Sequence, residues 1–308
     1  MIIAPAITAT CMSLLGLAPN SIILIAILLT SGIGVSLFHV PAPVLIKDVA
    51  GNRLGKGMSF FMLGGELARS LGPIIIIGAV SLWGLEGTYN LIPVGLIATF
   101  ILYWRLKDIT VYKSSDKAKK EMGLNQSFKK HLPFFAYTSG VVFLTSLIKG
   151  ALTNFLPLYL TEKGSSLWLA GISLSIIQLS GAVGTFTSGT LSDKIGRRLS
   201  LLIMVIVSPI LMVMFVYFHQ TLVIPLLLFI GFFLFAYTPV LLAIVNELDT
   251  AHPSFLNGIF MTVNFVFSAL GMLLVGILSD YIGLDNTYLL TAAVCLLSIP
   301  FVILITKK

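Results

Sequence analysis

Charge is what this chain has least of. Only 10% of its 308 residues are Asp, Glu, Lys or Arg, against about 25% in a soluble globular domain. Cysteine is equally sparse. Cys11 and Cys295 stand far apart inside apolar runs, without paired spacing or a neighbouring His, which excludes a disulfide framework and a thiolate metal centre. The four His residues are scattered, so the clustered His, Asp or Cys that a membrane-embedded enzyme would need at one depth is missing. There is no Gly-rich phosphate loop, which argues against an ATP-driven pump, and no cofactor or metal is implied.

What fills the sequence instead is apolar. Hydrophobic residues make up 57% of it, and its mean hydropathy is +1.03. Apolar stretches long enough to cross a bilayer core of about 30 Å recur from end to end. Backbone groups in lipid must be satisfied within each segment, and the short alternating strands of a membrane barrel are absent. The expected fold class is therefore all-α and polytopic. Ten helical spans are expected at about 2–17, 22–46, 58–82, 89–106, 133–160, 167–190, 199–218, 222–245, 256–279 and 287–306. Turn-forming stretches such as "LAPNS" (17–21), "AGNRLGKG" (50–57) and "TEKGSS" (161–166) separate them.

The net charge of +7 is distributed by loop. One side of the membrane receives Lys47, Arg53 and Lys56, the 105–131 segment, Lys194, Arg197 and Arg198, and Lys307 and Lys308; the other receives Lys163. This asymmetry places the lysine-rich side, and both ends of the chain, in the cytoplasm. It marks topology and contact with lipid, not nucleic acid. The polar segment "RLKDITVYKSSDKAKKEMGLNQSFKKH" (105–131) divides the spans into two groups, giving a first bundle over 1–106, a cytoplasmic loop over 107–131 and a six-helix bundle over 132–308.

The densest charge lies in "GTLSDKIGRR" (189–198), and its first eight residues return as "GILSDYIG" (276–283). Three spans separate the copies, so they face opposite sides of the membrane, as inverted repeats in transporters do. Gly189 permits close helix packing and Gly196 a turn. Asp193 can accept hydrogen bonds from a helix start while Arg197 and Arg198 hold the loop in water.

With Gly189, Asp193, Lys194, Gly196, Arg197 and Arg198 in these positions, the stretch resembles the signature loop of the major facilitator superfamily, whose fold is two helix bundles. In that family the loop helps hold the outward-facing state. The resemblance makes this the second of two signature copies, so that residue 1 falls at the third of twelve helices, with the first two and the first copy missing. "GIGVSLFHVPAPVLIKDVAGNRLGKGMSFFMLGGELARSLGP" (32–73) and "NFLPLYL" (154–160) are similar to the fosmidomycin-resistance branch. That likeness implies efflux of small anionic or amphiphilic, drug-like compounds by proton antiport, from a monomer in the plasma or inner membrane. Two family elements are incomplete. Leu28 stands where proton-coupled exporters often have Arg before Gly32-Ile-Gly34, and Ile74 to Ile77 replace a Gly-Gly after Gly72-Pro73.

Ionisable residues within spans are costly and are candidates for function. Glu66 and Arg69 share a helical face, either in the pathway or as a self-neutralised pair. Lys149 sits mid-span, where snorkelling is difficult, and suits an anionic substrate. His39 is a candidate for proton coupling or a helix-end contact. Asn154, Gln178 and Asn264 either line the pathway or bridge helices. Glu247 and Asp249 are candidates for a charge network with the signature loop. The expected activity is alternating-access secondary transport of a small molecule. Import, facilitated diffusion, or an inactive remnant or sensor without the first two helices are the alternatives.

Overall fold

The computed structural model describes residues 1–107 and 123–305, with the side chains of 73, 74 and 77 outside the description. Most of the 107–131 loop expected from sequence, and Lys307 and Lys308, therefore lie outside the described residues. In the first part of the chain, α1 (Ala4–Ser13) is followed by α2 (Ser21–His39), α3 (Ala42–Ala50), α4 (Leu54–Trp83) and α5 (Ile92–Leu106). In the second come α6 (Leu124–Asn154), α7 (Leu156–Glu162), α8 (Leu167–Ile195), α9 (Arg197–Glu247), α10 (Pro253–Cys295) and α11 (Ser298–Ile305). No strand occurs among the described residues.

Local chemistry sets the ends. Asn20 caps α2 by accepting from the Ile23 amide at 3.0 Å, and Ser166 caps α8 through the Leu169 amide at 3.2 Å. Proline opens α1, α3, α5, α7 and α10, where its missing N–H leaves no gap in the helical ladder.

The span expected to run to 46 instead ends at His39 and resumes as α3 after Pro41, because the proline cannot donate to the preceding turn. Others are longer than hydropathy suggests: α4 starts at Leu54, α6 at Leu124 and α8 ends at Ile195. Hydropathy marks the part of a helix that sits in lipid; hydrogen bonding carries the helix on into the polar edge.

The two longest helices are hairpins. At 51 residues, α9 would be far longer than a bilayer is thick if it were straight. It breaks at Leu222, and Arg197 and Glu247, at its opposite ends, meet at 2.8 Å. Helix α10 turns at Gly283, whose φ of 77° suits glycine. Its two arms then return to the same part of α6: Met272 backbone packs at Gly150, and the Tyr288 hydroxyl donates to the Ala151 carbonyl at 3.0 Å.

The second part of the chain has a dense interior. Tyr159, Tyr288, Phe215, Phe235 and Phe260 are all fully buried, with Tyr159 stacked on Tyr288 at 4.6 Å. A stacked pair of this kind contributes about 1 kcal/mol. Helices α4 and α8 then join the two parts along one antiparallel seam.

Candidate functional site

The seam is tightest at the signature loop. Gly189 of α8 faces the Gly55 carbonyl of α4 so closely that any side chain there would overlap backbone. The Gly189 amide donates to the Ser59 hydroxyl at 2.8 Å, with Ser59 fully buried. One turn on, the Asp193 carboxylate accepts from the Gly55 and Lys56 amides, both at 3.0 Å. These are among the unpaired N–H groups at the start of α4, where the helix dipole favours an anion.

Arg197 completes the arrangement. It pairs with Asp193 at 2.7 Å and with Glu247 at 2.8 Å, and its side chain is 15% exposed. It also donates to the Ser192 hydroxyl. Glu247 thus lies in the network that its sequence position suggested, while Lys130 reaches the Asp249 carbonyl at 3.5 Å. Lys194 and Arg198 are exposed. Gly196 makes the turn with φ 91°.

A second inter-helix tie lies at His39. Asn257 of α10 donates to the carbonyls of His39 (3.3 Å) and Val40 (2.7 Å). The His39 ring packs edge-on among Phe38, Phe61 and Phe265, an aromatic setting that suits packing.

Farther along the seam, past the edge contact of Phe60 with Phe186, the helices enclose a cavity of about 300 Å³. Arg69 lines it from α4, Lys149 and Asn154 from α6, Gln178 from α8 and Asn264 from α10. Five candidates scattered over the sequence therefore share one wall-to-wall space. Glu66 lies beside it, 2% exposed, and accepts from Arg69 at 2.6 Å through one carboxylate oxygen. The other oxygen is buried and has no hydrogen-bond partner among the described residues.

Lys149 has a different environment. Its ammonium lies 4.4 Å from the centre of the Phe235 ring, and no carboxylate is paired with it among the described residues. Gln178 Oε1 is also buried without a hydrogen-bond partner among the described residues. Asn154 is partly used locally, donating to the Gly150 carbonyl at 3.0 Å.

Sequence reasoning overlooked the receiving side of the seam: Ser59, the Gly55 and Lys56 amides, and Asn257. The "GKG" of 55–57 was the available signal, because it places small residues at a helix start. Phe235 under Lys149 gave no signal, since it is one Phe among many.

The Major Facilitator Superfamily profile matches residues 1–265. The chain belongs to that superfamily. It is 24% identical over 271 residues to the Fosmidomycin resistance protein of Escherichia coli, covering 86% of this chain and 66% of that protein's length, just under two thirds. To the Uncharacterized MFS-type transporter YfnC of Bacillus subtilis it is 25% identical, covering 95% of this chain and 74% of that one. The fold resembles that of the E. coli fucose:proton symporter FucP (TM-score 0.80, 13% identity, 100% of this chain and 82% of the other). It also resembles the human organic anion transporter MFSD10 (TM-score 0.75, 14% identity, 98% and 76%). At such identities these structures speak for the major facilitator fold alone. Family and fold are those of transporters that sit in membranes and handle small molecules, not of enzymes.

Proposed function

We propose that this major facilitator protein exports a small anionic solute across the cell membrane by alternating access, in exchange for protons. The observation that carries the anion is Lys149. It is a cation in a cavity between helices of both halves, with an aromatic ring as its neighbour and no carboxylate within ion-pair distance among the described residues. A ring offers such a charge about 2 kcal/mol when water is excluded, which leaves room for a carboxylate, phosphonate or phosphate. Arg69 adds a second positive charge, partly neutralised by Glu66.

Glu66 is the candidate proton carrier, because one of its carboxylate oxygens is buried without a hydrogen-bond donor among the described residues. Efflux is supported by the E. coli relative, whose name speaks of resistance. The lysine-rich loops favour a cytoplasmic signature loop and cytoplasmic chain ends, so the seam at Asp193 closes the cytoplasmic end. A monomer is consistent with a cavity built within one chain.

The test is solute flux in proteoliposomes with an imposed pH gradient, comparing small phosphonates and carboxylates with neutral solutes of equal size. Anion movement that follows the gradient, with the neutral solutes left behind, is the expected result. Equal movement of both classes would overturn the anion assignment, and no movement in a folded protein would overturn transport by this chain.

A further inference from the structure

The second copy of the repeated motif lies on α10, at the end of the helices away from Asp193. Its resemblance to the first copy extends to atomic detail. Ser192 donates to the Gly189 carbonyl at 2.9 Å, and Ser279 donates to the Gly276 carbonyl at 2.7 Å. Gly196 ends its helix with φ 91° and ψ 151°, and Gly283 turns with φ 77° and ψ 162°. Four residues later, the Ser200 hydroxyl donates to the Gly196 carbonyl at 2.9 Å, and the Thr287 hydroxyl to the Gly283 carbonyl at 2.8 Å. Ser200 and Thr287 are both fully buried. Two segments of unrelated neighbours thus build one turn, at the ends of helices that run in from opposite directions.

The acid is where the copies differ. Asp193 is docked on two backbone amides and on Arg197. Asp280, at the same place in the motif, is exposed and has no hydrogen-bond or ion-pair partner among the described residues. It takes no part in the turn that surrounds it, which is held by the Ser279 and Thr287 hydroxyls. Gly276, the counterpart of the closely packed Gly189, lies one turn beyond Met272, the last residue of α10 to line the cavity. Nothing but the Phe155 ring edge, at 3.4 Å, approaches the place of a side chain there. One copy therefore has its glycine and acid engaged across a seam, and the other has both free.

We infer that Asp280 is the latch of the opposite end of the transporter, the counterpart of Asp193. Gly276 is the flat surface that lets a helix of the first bundle approach, and Asp280 accepts the unpaired amides of that helix's start when this end closes. The inference rests on the alternating-access reading. It gives the reading two matched carboxylates that cannot both be docked, so each stabilises one state at the expense of the other.

The two latches predict opposite effects on one equilibrium. Hydrogen–deuterium exchange of the 54–59 and 189–196 segments, followed by mass spectrometry on the full chain in lipid nanodiscs, reads the Asp193 end without solute or gradient. Asp193→Asn is expected to speed exchange there by about fivefold or more. Adding Asp280→Asn, or Asp280→Ser as a second variant, is expected to slow it again by a similar factor. Exchange at the α6–α10 contact between Ser146 and Phe267 is expected to stay constant, since that contact lies within one bundle. Unchanged or faster exchange in both double variants would overturn the inference. Because no transport is measured, failure here is separate from failure of the anion-export reading, which the flux assay decides.

Discussion

Arg197 and Lys149 are both cations at the junction of the two halves, and their surroundings could hardly differ more. Arg197 has two carboxylates within 2.8 Å and a hydroxyl besides. Lys149 has a phenyl ring. A charge whose hydrogen-bonding capacity is used up within the protein holds structure together, and removing its partner leaves a penalty of about 3–5 kcal/mol where the pair is buried. A charge kept from water, in contact with a ring and acted on by the Glu66 carboxylate only from beyond ion-pair distance, can still accept a counter-ion from outside. On the proposed reading, the contrast separates a gate at Arg197 from a binding site at Lys149.

The largest effect is expected at the glycine contact of the Asp193 end. Gly189→Leu puts a side chain onto the Gly55 carbonyl, and no rotamer avoids backbone. It should abolish closure of the Asp193 end and reduce flux to background, with exchange of the 54–59 amides rising toward that of an open helix start. Arg69→Ala is next. It removes the only hydrogen-bond donor that Glu66 has among the described residues and, because the Arg69 side chain is half exposed, should lower stability to denaturant by about 1–2 kcal/mol. Glu66→Gln in the same chain should restore most of that loss, which a mere packing defect at Arg69 would not allow.

Arg197→Ala should loosen the Asp193 end while leaving anion binding in the cavity within about twofold, since Arg197 lies outside the cavity lining. The smallest effect is expected from Ser59→Ala. It deletes one neutral hydrogen bond to the Gly189 amide, worth about 1 kcal/mol, and should raise exchange at 189 without stopping transport.

How much of this the sequence carries depends on the kind of interaction. The helical passes were readable because lipid demands long apolar runs. Their ends were not, since Leu124 to His131 continue α6 with residues whose polarity suggests a loop. Asp193 could be read as an acceptor for a helix start, but not that the start is Gly55-Lys56, a separation of well over a hundred positions that only the fold supplies. Lys149 stood out because a charge in a span is costly. That Arg69, Asn154, Gln178 and Asn264 line the same cavity follows from the antiparallel seam and from the fold-back of α10, and neither has a local signature. Phe235 illustrates the limit: its meaning lies wholly in what is placed over it.

If Lys149 binds an anion in the cavity, ligand-induced stabilisation reveals it. A ligand that binds the folded state raises its stability by RT ln(1 + [L]/Kd). Thermal unfolding of the detergent-solubilised wild type, Lys149→Gln and Arg197→Ala proteins would therefore be followed against rising concentrations of a small phosphonate, a small carboxylate and a neutral analogue. The anions are expected to raise the midpoint of the wild type and of Arg197→Ala in a saturable way, and to leave Lys149→Gln unmoved. Equal stabilisation of Lys149→Gln, or an equal response to the neutral analogue, would contradict it.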